Sequence, residues 1–190
     1  ALISEFENTA MQRIVDELKR VRYLQRIVLA LGRATSEQHQ HVLSLFRDFY
    51  TPVTVLHVES PRTQALLRML EERGLSPGPD GKGRSCWLSY GLILASGDCD
   101  VIALHDCDIV NYDRQLLARL CFPVVHPNLG FEFCKGYYAR VTDRMHGRVT
   151  RLFFTPLLRS MMGMAPNSSF LTFLDSFRYG LAGEFAMNVN

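Results

Sequence analysis

Apolar residues recur in two registers over the first 125 residues: short unbroken runs, and longer stretches with helical spacing. Ile14, Val15, Leu18 and Val21 form one stripe behind Asn8 or Thr9, either of which can cap a helix, and predict a helix through 22. The β-rich run 26–31 predicts a strand. Thr35 or Ser36 then opens a second helix with a face of Val42, Leu43, Phe46 and Phe49, and Pro52 follows its end. Residues 53–58 predict a second strand, and 62–73 a helix closed by Gly74. The turn formers Ser76-Pro77-Gly78-Pro79-Asp80-Gly81 lead into Lys82-Gly83 and a helix ending near Gly97. A buried third strand, Val101-Ile102-Ala103-Leu104, and a helix over 113–120 complete the series. Strands separated by helices predict a mostly parallel sheet flanked by helices, with right-handed crossovers.

The second part of the chain changes character. A strand is expected over 131–141, where Phe131 and Phe133 alternate with polar neighbours. Residues 148–164 read as a helix that Pro156 should bend or break. A short helix over 170–177 and a last strand over 183–189 follow. The expectation is a single Rossmann-like α/β domain, with a nucleotide-binding half over 1–125 and an acceptor-side half over 126–190. Ala1-Leu2-Ile3 is too short for a complete first strand, and 186–190 brings no closing element, so a chain trimmed at both ends is expected.

Composition narrows the class. The 190 residues, 47% hydrophobic and 21% charged, suit one globular domain with a sizeable core. A net charge of +2 gives no argument for nucleic acid or an anionic membrane surface as partner. No segment reaches the roughly 18 uninterrupted apolar residues of a membrane span. The first residues lack the charged start and apolar core of a signal peptide. Five cysteines, an odd count without Cys-x-x-Cys spacing, read as reduced thiols in a reducing cytoplasm rather than as a zinc site or disulfide framework.

The most informative stretch is Val101-Ile-Ala-Leu-His105-Asp106-Cys107-Asp108-Ile109, an apolar strand that delivers two carboxylates at its end. Ligands of open α/β sheets bind at the carboxyl ends of strands. Acidic groups beside an apolar core need a compensating cation or polar partners. If the segment is extended, Asp106 and Asp108 point to one side. Hard oxygen donors suit Mg²⁺ or Mn²⁺, which can hold a diphosphate and stabilise the charge of a departing nucleotide. Asp-x-Asp alone is a short motif that solvated turn carboxylates also produce; after a buried strand in a β/α series it points to a nucleotide-sugar glycosyltransferase.

Two further groups carry chemistry. Gly81-Lys82-Gly83 at a helix start permits close backbone approach to phosphate, with the helix N-terminus and the lysine favouring an anion. The spacing is not that of a P-loop, and a plain turn would read the same way. His146-Gly147-Arg148-Val149-Thr150 offers backbone N–H groups, a guanidinium and a hydroxyl to a phosphate or carboxylate, or else forms an ordinary helix cap with a surface arginine. Lys135, Tyr137, Tyr138 and Arg140 could line the same cleft, although tyrosines on a strand more often pack. His105 and His126 read as hydrogen-bonded structural histidines more readily than as metal ligands. Phe153, Phe154, Met161, Met162 and Met164 read as core or as a partner-facing surface, and exposed Met and Phe there would suit a homodimer.

Taken in order, Gly81-Lys82-Gly83, His105-Asp106-Cys107-Asp108-Ile109, Phe133-Cys134-Lys135-Gly136-Tyr137-Tyr138, Gly147-Arg148-Val149-Thr150 and Ala182-Gly183-Glu184-Phe185 resemble the glucosyl-3-phosphoglycerate synthase family of GT-A glycosyltransferases, related to mannosylglycerate-type synthases. The resemblance covers nearly the whole chain. It implies a GT-A fold and metal-dependent transfer of glucose from UDP-glucose to D-3-phosphoglycerate with retention. Leu2 and Glu5 would contact the uracil or ribose, with Glu59 and Ser60 beside them. Gly81 and Lys82 would reach the diphosphate. Asp106, Cys107 and Asp108 would hold ribose and Mg²⁺ or Mn²⁺, with Asp108 the direct ligand. Gly147, Arg148, Val149 and Thr150 match the loop that receives the phosphoglycerate, and Leu181, Ala182 and Gly183 a stretch near the donor sugar. Cys107 replaces the small polar residue usual in the middle of the family's Asp-x-Asp. The family's catalytic-site acid, in a Gly-x-Glu segment, and the histidine that completes its metal site are expected beyond Asn190.

Two other readings stand beside this one. A GDP-mannose-dependent mannosyltransferase of similar fold would share these motifs, and so would a nucleotide-sugar-binding module that has lost catalysis. A dinucleotide-dependent dehydrogenase is disfavoured, because no Gly-x-Gly-x-x-Gly follows any strand.

Overall fold

A computed structural model of the chain describes residues 1–137 and 147–189. These form two compact units. One comprises Ala1–Asp100 and Asp106–Ala118, with Val189; the other comprises Val101–His105 and Arg119–Asn188.

In the first unit a 3₁₀ turn, Ile3–Glu7, runs into α1 (Thr9–Lys19), whose first turn is capped by the Asn8 side chain accepting from Ala10 N–H at 3.1 Å. Strand β1 (Ile27–Leu31) pairs in parallel with β2 (Val53–His57), Ile27 opposite Val53 and Leu31 opposite His57. Leu2 adds a parallel bridge to Gly32 at the end of β1. The connecting helix α2 (Ser36–Leu45) begins in a capping box, Thr35 accepting from Gln38 N–H and Gln38 accepting from Thr35 N–H. Leu31, Ala34 and Val42 form the buried centre, closed over by Ile3, Phe6, Leu29, Phe46 and Val55. α3 (Pro61–Glu72) starts on Ser60, and its proline occupies the first turn, where a missing N–H costs nothing. α4 (Lys82–Ser96) packs on β1 and ends at left-handed Gly97.

In the second unit β3 (Val101–Leu104) pairs antiparallel with β5 (Phe185–Asn188), and β5 pairs antiparallel with β4 (Phe133–Lys135), giving the order β3-β5-β4. α5 (Arg114–Val125), of which Arg114–Ala118 is counted with the first unit, tolerates Pro123 in its last turn. Thr150–Phe154 is a π-helical turn that passes directly into α6 (Thr155–Met164), and α7 (Ser169–Asp175) packs beside α6.

The element order follows the sequence pattern closely, with three differences. The expected sheet was mostly parallel; of the strand pairings described, β1/β2 is parallel while β3/β5 and β5/β4 are antiparallel. Periodicity reports which face of a strand is buried, and it carries no information on the direction of the partner that a distant segment supplies. The strand expected over 131–141 is confined to Phe133–Lys135, with Phe131 exposed ahead of it; Tyr138, Arg140 and His146 lie outside the described residues. Pro156 does not break 148–164, which runs on as continuous helical backbone. Its missing N–H and its ring displace the α-pattern upstream into the wider π turn, where Thr155 N–H reaches Thr150 O.

Candidate functional site

In the first unit the strand ends gather the residues expected around a nucleotide. A Cβ placed on Gly32 would lie 3.8 Å from Leu2 Cδ2 and 3.9 Å from Glu59 Oε1, so Leu2 and Glu59 flank one backbone position. The Glu59 carboxylate accepts the N–H of Arg33 at 2.6 Å and lies 3.6 Å from His57 Nε2. His57 Nε2 is also 2.7 Å from the Ala34 carbonyl, which can only accept, so this nitrogen carries the proton. The His39 ring stacks on His57 with centroids 4.8 Å apart. Arg33 has φ of 58°, a left-handed conformation uncommon for a residue with a side chain. Glu5 accepts from Leu2 N–H at 2.6 Å and thereby fixes the first turn. Ser60 is committed locally: its Oγ accepts from Thr63 N–H at 3.2 Å, and its own N–H donates to His57 O.

The second gathering is at the start of α4. Gly81 holds φ of 149° and ψ of −171°, a region essentially restricted to glycine. That kink starts the helix at Lys82, whose Nζ pairs with the carboxylate of Asp106. Asp80 pairs with Arg84 at 2.5 Å one turn away. β3 ends at Leu104, and Cys107 and Asp108 lie in a turn, so the strand alternation expected to put Asp106 and Asp108 on one side stops short of them. Asp106 is half-buried and Asp108 exposed. The loop that follows is anchored by Arg13, whose Nε donates to the carbonyl of fully buried Tyr112 at 2.7 Å. Burial pushes the Cys107 thiol up, and the Glu5 and Asp106 carboxylates act in the same direction. Burial also raises Cys86, against the opposing pull of Lys82.

No group of three His, Cys, Asp or Glu side chains able to hold a metal occurs among the described residues. His126 serves the fold: its Nδ1 accepts from Asn128 N–H at 3.3 Å and its ring packs 5.0 Å from Phe122. His105 is half-buried at the end of β3. All five cysteines are free and half-buried. No helix among the described residues is long and apolar enough to cross a membrane.

The second unit holds the other expected residues. Gly147 precedes the helical turn with φ of 82°; Arg148 and Val149 are exposed, and Thr150 Oγ1 is buried without a hydrogen-bond partner. Leu181 is exposed, while Ala182 is buried and accepts Lys135 Nζ at its carbonyl, 2.6 Å away. Tyr137 carries the Arg178 guanidinium 5.4 Å above its ring. Phe154 and Met162 are half-buried, while Phe153, Met161 and Met164 are exposed.

Sequence reasoning had named both members of the Lys82–Asp106 pair, though not their pairing. It missed Arg33, His39 and His57, because a left-handed arginine and a stacked histidine pair leave no periodic or spacing signal. His57 as the polar last residue of a strand was the one available clue.

At the start of α4 a lysine is thus set against the acidic segment that follows β3, within a mixed α/β chain. Its relatives are more specific. Along 98% of its length the chain is 55% identical to a glucosyl-3-phosphoglycerate synthase of Persephonella marina. Over 98% it is also 39% identical to a glucosyl-3-phosphoglycerate synthase of Methanococcoides burtonii. Identity at this level along nearly the whole chain makes both proteins its homologues. The matched region is 46% of each relative, so the chain spans about half the length of the curated relatives it matches. No protein-family model matches it.

Proposed function

We propose that this chain is the nucleotide-sugar-binding part of a GT-A glycosyltransferase that moves glucose from UDP-glucose to D-3-phosphoglycerate with retention. The Lys82–Asp106 pair at the start of α4 is the observation that carries the reading, supported by the names of the two homologues. In this reading the ammonium of Lys82 leaves Asp106 for the diphosphate, while the Gly81 kink exposes the first N–H groups of α4 to the same anion. Leu2, Glu5 and Glu59 border the uracil and ribose, with Ser60 holding the first turn of α3 beneath them. Asp106 and Cys107 face the ribose.

The donor chemistry of Asp106 and Asp108 fits Mg²⁺ or Mn²⁺, since such ions keep several waters and take one or two carboxylates together with substrate phosphates. The bound ion would neutralise charge on the leaving diphosphate. Asp108 is the exposed carboxylate and is assigned as the direct ligand. Gly147, Arg148, Val149 and Thr150 receive the phosphorylated acceptor, with the buried Thr150 hydroxyl as an available donor. Transfer breaks the glucose C1–O bond to the diphosphate and forms a C1–O bond to the acceptor hydroxyl, releasing its proton. Free thiols throughout suit a reducing cytoplasm, and exposed Phe153, Met161 and Met164 suit a homodimer.

The test is calorimetric titration of UDP-glucose and GDP-mannose, with and without Mn²⁺, into the wild type and Asp108→Ala. Metal-enhanced binding of UDP-glucose that the variant loses is the expected result. Metal-independent binding, or a preference for GDP-mannose, would overturn the metal or donor assignment respectively.

A further inference from the structure

After Leu31 the chain turns off the carboxyl edge of the parallel pair β1/β2, and one residue of that corner holds an unusual backbone. Arg33 has φ of 58°, in the left-handed region, and every other positive φ among the described residues belongs to a glycine. Its neighbour Gly32, which could take that conformation at little cost, does not. The corner is held from both sides. Leu31 O accepts from Val58 N–H at 3.0 Å, and Gly32 N–H donates to Ala1 O at 3.0 Å. Arg33 N–H donates to Glu59 Oε1 at 2.6 Å, and Ala34 O accepts from His57 Nε2 at 2.7 Å. Thr35 then enters the capping box of α2. Each residue from Leu31 to Thr35 is therefore tied down through its neighbours. The arginine side chain is exposed, and its guanidinium has no hydrogen bond or ion pair among the described residues.

A left-handed backbone is costly for a residue with a side chain, and such strain persists where the surroundings over-determine it, most often at ligand sites. Ligands of open α/β sheets sit at the carboxyl ends of the strands, and this corner lies at the carboxyl ends of both β1 and β2. Its other members narrow the chemistry. Leu2 is 41% exposed and, with Glu59, flanks Gly32. A carboxylate 2.6 Å from the Arg33 N–H repels a phosphate at this spot. A flat ring with carbonyl oxygens is suited to it, because it can lie on an apolar side chain and accept from a planar guanidinium. We propose that Arg33 is a nucleotide-binding residue that takes the base of the sugar donor, and that its left-handed backbone is kept for this contact. This rests on the glycosyltransferase reading above. All the residues involved belong to the first unit.

The experiment uses the intact protein with Arg33→Gly and Arg33→Lys, reading calorimetric binding of UDP and of inorganic pyrophosphate beside thermal unfolding. Glycine accepts φ of 58° without strain, so Arg33→Gly should unfold at or above the wild-type midpoint. The same variant should bind UDP about tenfold more weakly, the scale of one lost charge-assisted bond, with pyrophosphate within about twofold of wild type. Arg33→Lys keeps the charge without the planar fork and should remain weaker than wild type for UDP. Stability gained together with nucleotide affinity lost is the signature of strain held for a ligand. Unchanged UDP affinity in Arg33→Gly, or a midpoint that falls with it, would overturn the role of Arg33. Equal weakening of UDP and pyrophosphate would overturn its assignment to the base. A wild-type protein that binds neither compound would overturn the glycosyltransferase reading itself and the role of Arg33 with it.

Discussion

The ring of Phe154 occupies the space a side chain at Gly180 would need: a Cβ built there lies 2.7 Å from both Cε1 and Cζ. Phe154 ends the π-helical turn that starts at Thr150, and Gly180 sits just before Leu181-Ala182-Gly183. The π-helical turn and the turn that leads to β5 thus meet through one ring and one backbone position. Gly180→Ala should destabilise the protein by about 1–3 kcal/mol, as overpacking of a closed site does. Phe154→Leu in the same chain should recover much of the loss, and denaturant unfolding of the two single variants and the double variant measures that coupling.

Lys82 and Asp106 contribute little to folding, because the lysine is 62% exposed in the pair and solvent screens it. Lys82→Met should shift the unfolding midpoint only slightly while weakening UDP binding tenfold or more. Thermal scans and UDP titration on one preparation separate the two effects. A large stability loss with intact UDP binding would make the pair structural.

Ser60→Ala should show the opposite pattern. Its hydroxyl caps α3, so its loss should cost about 0.5–2 kcal/mol of stability. UDP affinity should remain close to wild type, and a selective loss of UDP binding would instead assign the hydroxyl to the ligand.

Arg148 is exposed at the start of the acceptor loop. Arg148→Ala should raise KM for 3-phosphoglycerate by tenfold or more, with the KM for UDP-glucose nearly unchanged. Equal loss of both would place the guanidinium with the donor.

Burial pushes the Cys121 thiol up to about 11, with Cys134 adding to the shift. The folded state therefore favours the protonated thiol. The stability this contributes is complete below the unfolded thiol's pKa and is lost as pH rises through about 11. Denaturant midpoints measured from pH 8 to 11 should fall through that window, and Cys121→Ala should flatten part of the fall.

Much of the fold was legible because local signals agreed with tertiary packing. Asn8 and Thr35 cap the helices that follow them, and Gly97 closes α4. The antiparallel pairing of β5 between β3 and β4 was not legible, since it joins segments far apart in sequence whose apolar runs look alike whichever way the partner runs. At the site, the acidic end of β3 and the Gly81-Lys82 start of α4 could be read from composition and spacing, yet their direct pairing could not. Asp106 and Asp108 were read as sharing a side on the strength of strand geometry that ends at Leu104. Lys135 was visible only as one of several polar residues near a cleft; its bond to Ala182 depends on the carbonyl that the ladder register brings within its reach.

The π-helical turn holds one more residue than an α-helical turn closing the same gap would need. Each residue of an α-helix advances about 100° around the axis. Removing exposed Phe153 would let the turn relax to α geometry while α6 keeps its seat on α7. The wider turn spreads its extra residue over nearly the same rotation, so Gly147, Arg148, Val149 and Thr150 would keep close to their present heading. The wide turn is thus a place where the chain can lose one residue while the segments on either side of it stay in step.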